Sequence, residues 1–161
     1  MSIELWRVDN RLIHGQVLEA WVPRVRAQAI LVVDDSASSD PFQKCVLEAM
    51  GQCVIQVSVK PPREAVSGLK ELGAKRVIVL FRTVPQALMA MEAGLPLETL
   101  NLGNVHPTED SVRLTPSVNL SPEDIAALRR MLELGVKADA RSIPTEDGPD
   151  VAGFLKVAGA A

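Results

Sequence analysis

A chain of 161 residues, 47% hydrophobic and 23% charged, holds enough apolar material for one sizeable core and too much for a disordered segment. Its formal net charge of −3, with no Lys/Arg-rich run, gives no electrostatic reason for a nucleic-acid partner. Aromatics make up only 3% and Tyr is absent, so the core must be built from Val, Leu, Ile, Ala and Met.

Ile3–Val8 reads as a first strand, and Gly15–Arg26 as a helix with Leu18, Trp21, Val22 and Val25 on one face. Pro23 inside that helix predicts a kink or an early end. Ala29–Asp34 is a second strand whose unbroken Ile30-Leu31-Val32-Val33 fits burial on both faces. Ser39-Asp40-Pro41 starts a helix expected to bury Phe42, Val46, Leu47 and Met50 and to stop at Gly51. Cys53–Val59 is a third strand. Pro61-Pro62 open a helix with Val66, Leu69 and Leu72, closed by Gly73. Arg76–Phe81 is a fourth strand, Val84–Ala93 a helix ended by Gly94, and Thr99–Leu102 a short fifth strand. Gly103–Pro116 reads as an irregular excursion with a short strand at Ser111–Leu114. Ser121-Pro122-Glu123-Asp124 is the clearest helix start, and that helix runs to Leu134 before Gly135. Val136–Ser142 is the last strand. Residues 145–161 read as a loosely packed tail, a loop at Thr145–Pro149 and then a short helix or a frayed end.

Strands alternating with helices predict an α/β fold: one domain over residues 1–161, an open, mostly parallel sheet with helices on both faces. Function in such sheets sits at the carboxyl ends of the strands. Met1-Ser2-Ile3-Glu4 has no basic start leading into an apolar stretch, and the apolar runs fall short of the ~20 residues that span a bilayer. The expected location is the cytoplasm. Cys45 and Cys53 form no CxxC and have no metal-ligand spacing, so they read as two buried thiols, and no metal site is expected.

The loop after the first strand concentrates chemistry: Arg7-Val8-Asp9-Asn10-Arg11-Leu12-Ile13-His14-Gly15-Gln16-Val17. An imidazole is nucleophilic near neutral pH. A helix N-terminus directly after it offers free N–H groups to an anion. Arg11 adds planar donors that match phosphate oxygens. Gly15 lets the backbone come close to a group on His14, and Asp9 is placed to orient Arg11 or the imidazole. Taken singly, each of these residues is equally at home as a cap or a solvated charge.

That run resembles the signature of the IIB subunits of the mannose/fructose/sorbose phosphotransferase systems, which read Arg-(Ile/Val)-Asp-Asp-Arg-Leu-Ile-His-Gly-Gln-Val. Trp21-Val22, Val32-Val33-Asp34-Asp35, Asp40-Pro41-Phe42-Gln43-Lys44, Asn101-Leu102-Gly103-Asn104-Val105-His106 and Ile143-Pro144-Thr145 resemble further stretches of that family, in order, over about residues 3–150. The resemblance implies a phosphocarrier. His14 would take a phosphoryl group on Nδ1 from a phosphohistidine of a IIA protein and pass it to a hexose in the IIC/IID membrane complex. Asp9 and Arg11 would serve catalysis, and Gly15, Gln16 and Arg82 phosphate binding. Asn10, Asp34, Phe81 and His106 would be contacts at the site edge or to a partner. No cofactor is implied, and the protein would reach the inner membrane only through its partner subunits.

Asn10 departs from the family's second Asp, and Asn104-Val105-His106-Pro107 from its usual Gly-Met-His-Phe run. Those departures leave open a second class of function, a regulatory module that signals through phospho-His14 without sugar transport. A homodimer is compatible with the sequence, although no coiled-coil heptads signal one.

Overall fold

The computed structural model describes residues 2–158. Among them, six parallel strands form one sheet in the order β3-β2-β4-β1-β5-β8. These are β1 (Ser2–Asp9), β2 (Ala29–Val33), β3 (Gln56–Lys60), β4 (Arg76–Phe81), β5 (Thr99–Asn104) and β8 (Lys137–Asp139). β6 (Val112–Thr115) and β7 (Val118–Leu120) form a separate antiparallel hairpin. The helices are α1 (Val22–Val25), α2 (Asp35–Ser39), α3 (Pro41–Gly51), α4 (Ala65–Leu72), α5 (Val84–Glu92), α6 (Pro122–Glu133) and α7 (Val151–Ala158). No helix among the described residues is long and apolar enough to cross a membrane.

Successive residues of a strand face opposite sides, so each central strand feeds two cores. Leu5, Ile30, Val32, Ile78 and Leu80 pack with Val17, Trp21 and Leu47 on one face. Val8, Leu31, Val33, Val79 and Phe81 pack with residues of α4, α5, α6 and α7 on the other. Every residue of β2 is buried, as its continuous apolar run requires. The chain runs outward from β1 to β3 with its helices on the first face, then returns through β4 to β5 with helices on the second. Right-handed crossovers impose that change of face. The loops after β1 and β4, neighbours in the sheet, therefore leave toward opposite sides and open a crevice at the switch point.

Several local expectations need correction. The first helical segment is a π-helix over Gln16–Trp21 that runs into α1. The Val22 N–H reaches the Val17 carbonyl, and Pro23 has no N–H with which to tighten the turn. The helix stops at Val25 because Arg26 is left-handed (φ 53°). β3 starts at Gln56 rather than Cys53, since the N–H groups of Val54 and Ile55 both turn back to the Gly51 carbonyl. A short helix, α2, stands between β2 and α3, capped by Asp34, whose carboxylate accepts from the Ala37 N–H. α3 buries Leu47 but leaves Phe42, Val46 and Met50 exposed. Cys45 and Cys53 are free and exposed, not buried.

The expected excursion after β5 contains the β6–β7 hairpin, which fixes the next loop. The Val105 N–H donates to the Ser117 carbonyl, and the Asn119 N–H to the Val105 carbonyl, both at 2.9 Å. β8 is shorter than expected because the carbonyls of Arg141 and Ser142 turn inward to side chains instead of extending the ladder.

Candidate functional site

The loop after β1 makes a tight turn at the carboxyl edge of the sheet. The Leu12 N–H returns to the Asp9 carbonyl, and Leu12 adopts a left-handed backbone (φ 57°) with its side chain fully buried. That conformation costs about 1 kcal/mol for a residue with a Cβ. Burial of Leu12 and Ile13 on the first core face offsets it, and so anchors the two residues directly before His14.

His14 stands mostly buried at the mouth of the crevice. Its Nε2 lies 2.7 Å from Asp9 Oδ2. Asp9 is fully buried, and the same oxygen accepts from Arg7 Nη2 at 3.1 Å, Arg7 Nε at 3.2 Å and Asn104 Nδ2 at 2.9 Å. Its Oδ1 accepts from the Arg11 backbone N–H at 3.0 Å. Burial alone would push the Asp9 carboxyl upward. The hydrogen bonds from His14 and Asn104 and the charge of Arg7 outweigh it, so the group is held below the ordinary carboxylate range. An ionised carboxylate only accepts, so Nε2 is the donor in this contact, and in the neutral ring that leaves the lone pair on Nδ1. The geometry thus favours one tautomer of the neutral ring.

Arg7 was not singled out as a site residue from the sequence. It sits two positions before Asp9 on the same strand face and opens the run that carries the family resemblance, two signals that could have flagged it. It is fully buried and spends its donors completely: on Asp9, on Asn101 Oδ1 (2.7 Å), on the Arg141 carbonyl (3.2 Å) and on Gln16 Oε1 (3.3 Å). Its guanidinium lies 5.4 Å from the centre of the Trp21 ring, and that of Arg141 lies 5.6 Å from it. Burial pulls the Arg7 pKa down and Asp9 counters it.

The other sequence candidates divide. Gln16 joins the network, its Oε1 accepting from both Arg7 and Asn104. Gly15 has ordinary right-handed dihedrals, and an added Cβ there would meet little but open space, so neither backbone conformation nor packing requires a glycine at this position. The Arg11 side chain is exposed and has no ion pair among the described residues, so Asp9 orients its backbone and not its guanidinium. Arg82 closes the crevice from β4, with Nε on Asp34 Oδ2 at 2.9 Å and Nη1 on the Asn10 carbonyl at 3.3 Å. Phe81 is fully buried in the second core and cannot be a partner contact. His106 is exposed, and it is tied to the site through its backbone rather than its ring.

Asn10 is that tie. Its Nδ2 donates to the Arg82 carbonyl at 2.9 Å, and its Oδ1 accepts from the His106 N–H, so one amide staples the loops after β4 and β5 to the loop after β1. A carboxylate cannot donate. Asn10→Asp is therefore expected to set an anion against the Arg82 carbonyl and lower stability by about 1–3 kcal/mol in urea unfolding. An unchanged midpoint would show that the staple contributes nothing.

The sequence profile of the family described as "PTS system sorbose subfamily IIB component" matches residues 3–161. The sorbose-specific EIIB component of Lacticaseibacillus casei is 31% identical over 153 residues, covering 94% of this chain and 93% of that protein. The fructose-specific EIIB component of Bacillus subtilis is 29% identical, with 97% of each covered. The crystal structure of the IIBSor domain of the sorbose permease from Klebsiella pneumoniae superposes with a TM-score of 0.87 at 30% identity, over 100% of this chain and 99% of that one.

Proposed function

The chain belongs to the sorbose subfamily of phosphotransferase-system IIB components, and on that premise we propose that it carries a phosphoryl group on Nδ1 of His14. The donor is a phosphohistidine of a IIA protein and the acceptor a sugar hydroxyl held by IIC/IID membrane subunits. The observation that supports this reading best is the His14 Nε2–Asp9 Oδ2 contact of 2.7 Å, made to a carboxylate that Arg7 and Asn104 keep ionised.

The Nδ1 lone pair attacks phosphorus in line, the P–N bond to the donor imidazole breaks, and the donor ring leaves with that electron pair. Because Nε2 keeps its proton, the His14 ring becomes cationic as the new P–N bond forms. The Asp9 carboxylate is already in place to stabilise it, with no reorganisation at the moment of transfer. The exposed Arg11 guanidinium, the N–H groups of the first helical turn at Gly15 and Gln16, and Arg82 would supply the donors for the equatorial oxygens. In the second step a sugar hydroxyl attacks the same phosphorus, giving up its proton to a base of the acceptor complex, while the P–N bond breaks and its electron pair returns to Nδ1, restoring the neutral His14 tautomer. The family's named sugars differ between relatives, and the site described above recognises phosphate rather than sugar, so sugar choice falls to the membrane subunits.

The test is a reconstituted relay of phosphoenolpyruvate, the general phosphotransferase proteins and a IIA protein, read by intact mass and by phosphorus NMR. Wild type is expected to gain one phosphoryl group, on Nδ1, labile to acid and stable to base. His14→Ala is expected to gain none while remaining folded, with stability lower by about 1–3 kcal/mol because the buried Asp9 carboxylate loses a hydrogen bond. A label that persists in His14→Ala, or that sits on Nε2, would overturn the assignment.

A further inference from the structure

Donors crowd one oxygen at the centre of the site. Asp9 Oδ2 accepts from Arg7 Nε, Arg7 Nη2, Asn104 Nδ2 and His14 Nε2, whereas Oδ1 takes the Arg11 N–H alone among the described residues. Arg7 is the counter-ion that a buried carboxylate needs, and His14 carries the reacting nitrogen. Asn104 is neither, and it stands where the family's usual run has Gly. The skipped Gly103 sets residue 104 opposite Asp9 at the end of β5, where the side chain is buried. Its amide can sit only one way round. Arg7 Nη2 donates to Gln16 Oε1, so Nδ2 of Asn104 faces two acceptors, Asp9 Oδ2 at 2.9 Å and Gln16 Oε1 at 3.2 Å. A flipped amide would set its oxygen against both. A donor draws charge from the oxygen it binds, and what Asn104 takes is not offered to the proton on Nε2.

We propose that Asn104 is a positioning residue that acts through Asp9 to set the phosphoryl-transfer potential of His14. By sharing the oxygen that faces Nε2, it weakens the hold of Asp9 on the phosphorylated ring and leaves the phosphoryl group easier to pass on. The proposal rests on the phosphocarrier reading of His14. In the loaded form the ring keeps its proton on Nε2 and is cationic, with the Asp9 carboxylate as its counter-charge. When the P–N bond breaks, the electron pair returns to Nδ1 and the ring charge is lost. Any gain in attraction between Asp9 and the ring therefore stabilises the loaded protein more than the empty one. Arg7 and the Arg11 N–H hold Asp9 in place without Asn104, so losing the amide changes the charge on the carboxylate more than its position.

The experiment equilibrates the full chain with the phosphorylated IIA protein from the same source and reads the phosphorylated fraction of each by intact mass. Asn104→Ala and Asn104→Gly are each expected to shift that equilibrium about threefold or more toward the phosphorylated chain. Return of the phosphoryl group to empty IIA should slow to match. A merely structural loss would act in the opposite direction, because a displaced Asp9 stabilises the loaded ring less. Carbon NMR of the Asp9 carboxyl adds a readout that needs no donor. Its titration should move upward in both variants, since one of the hydrogen bonds that hold it low is gone. An unchanged equilibrium, or a shift toward phospho-IIA, would overturn the proposal whatever the titration shows. An unmoved Asp9 titration would overturn it as well, because the amide would then take no charge from the carboxylate. Wild-type protein that accepts nothing from phospho-IIA, with Asp9 still shifted in the variants, would sink the carrier reading and this proposal with it.

Discussion

Asp9→Asn is expected to leave a folded but weakened protein that accepts phosphoryl groups on the order of a thousandfold more slowly. The amide cannot hold Nε2–H against a negative charge, so the ring is free to take the other tautomer and to turn Nδ1 away from the donor. The cationic ring formed during transfer also loses its counter-charge. Stability should fall by about 3–5 kcal/mol, because Arg7, fully buried, keeps its charge and loses its ion-pair partner. The wild-type pH profile follows from the same contact. The Asp9 carboxyl is held below its ordinary value of ~3.9, so its stabilisation is complete above about pH 4–5 and is lost as pH falls through the lower folded value. Asp9→Asn should flatten that acid limb of the stability curve. Transfer within a few fold of wild type, with an unaltered acid limb, would remove Asp9 from the centre of the site.

Gly103→Ala is expected to be nearly as damaging without touching a catalytic atom. β1 pairs Val8 with Leu102 and Asp9 with Asn104, so Gly103 is the unpaired residue of a bulge. A Cβ there would land on the Arg7 guanidinium. A long side chain can usually swing aside, but this one is held by Asp9, Asn101, Gln16 and the Arg141 carbonyl and has no exposed route. Either the ion pair breaks or β5 moves, and both imply a loss of about 3 kcal/mol or more. A double-mutant cycle isolates the cause. In an Arg7→Ala background the same Gly103→Ala change should cost far less. Additive losses would show that the glycine is needed for something other than Arg7.

The strands of the centre and the position of His14 could be read before any coordinates, because continuous apolar runs and an eleven-residue loop pattern are strong local signals. The Ser121–Asp124 helix start also follows from local chemistry, as a full capping box. What escaped the sequence is set by tertiary contact. Arg7 looks like a break in an apolar strand until β5 and β8 bring Asn101 and the Arg141 carbonyl to it from 94 and 134 residues away. Helical spacing put Phe42, Val46, Leu47 and Met50 on one stripe, but spacing cannot say which edge of a stripe meets the sheet. Only Leu47 does. The π-turn before Pro23 likewise depends on a missing donor, which propensity alone does not locate.

The inward turn of the chain after β8 ties the poise of His14 to the far rim of the sheet. β8 is three residues long and pairs only with β5, and short edges of this kind open long before a whole domain unfolds. Each opening withdraws the Arg141 carbonyl from Arg7 and the Ser142 carbonyl from the indole N–H of Trp21 together. Arg7, which holds Asp9 against His14, thereby draws part of its support from the margin of the sheet, and amide exchange at β8 faster than at β1 is the expected mark of that loose margin.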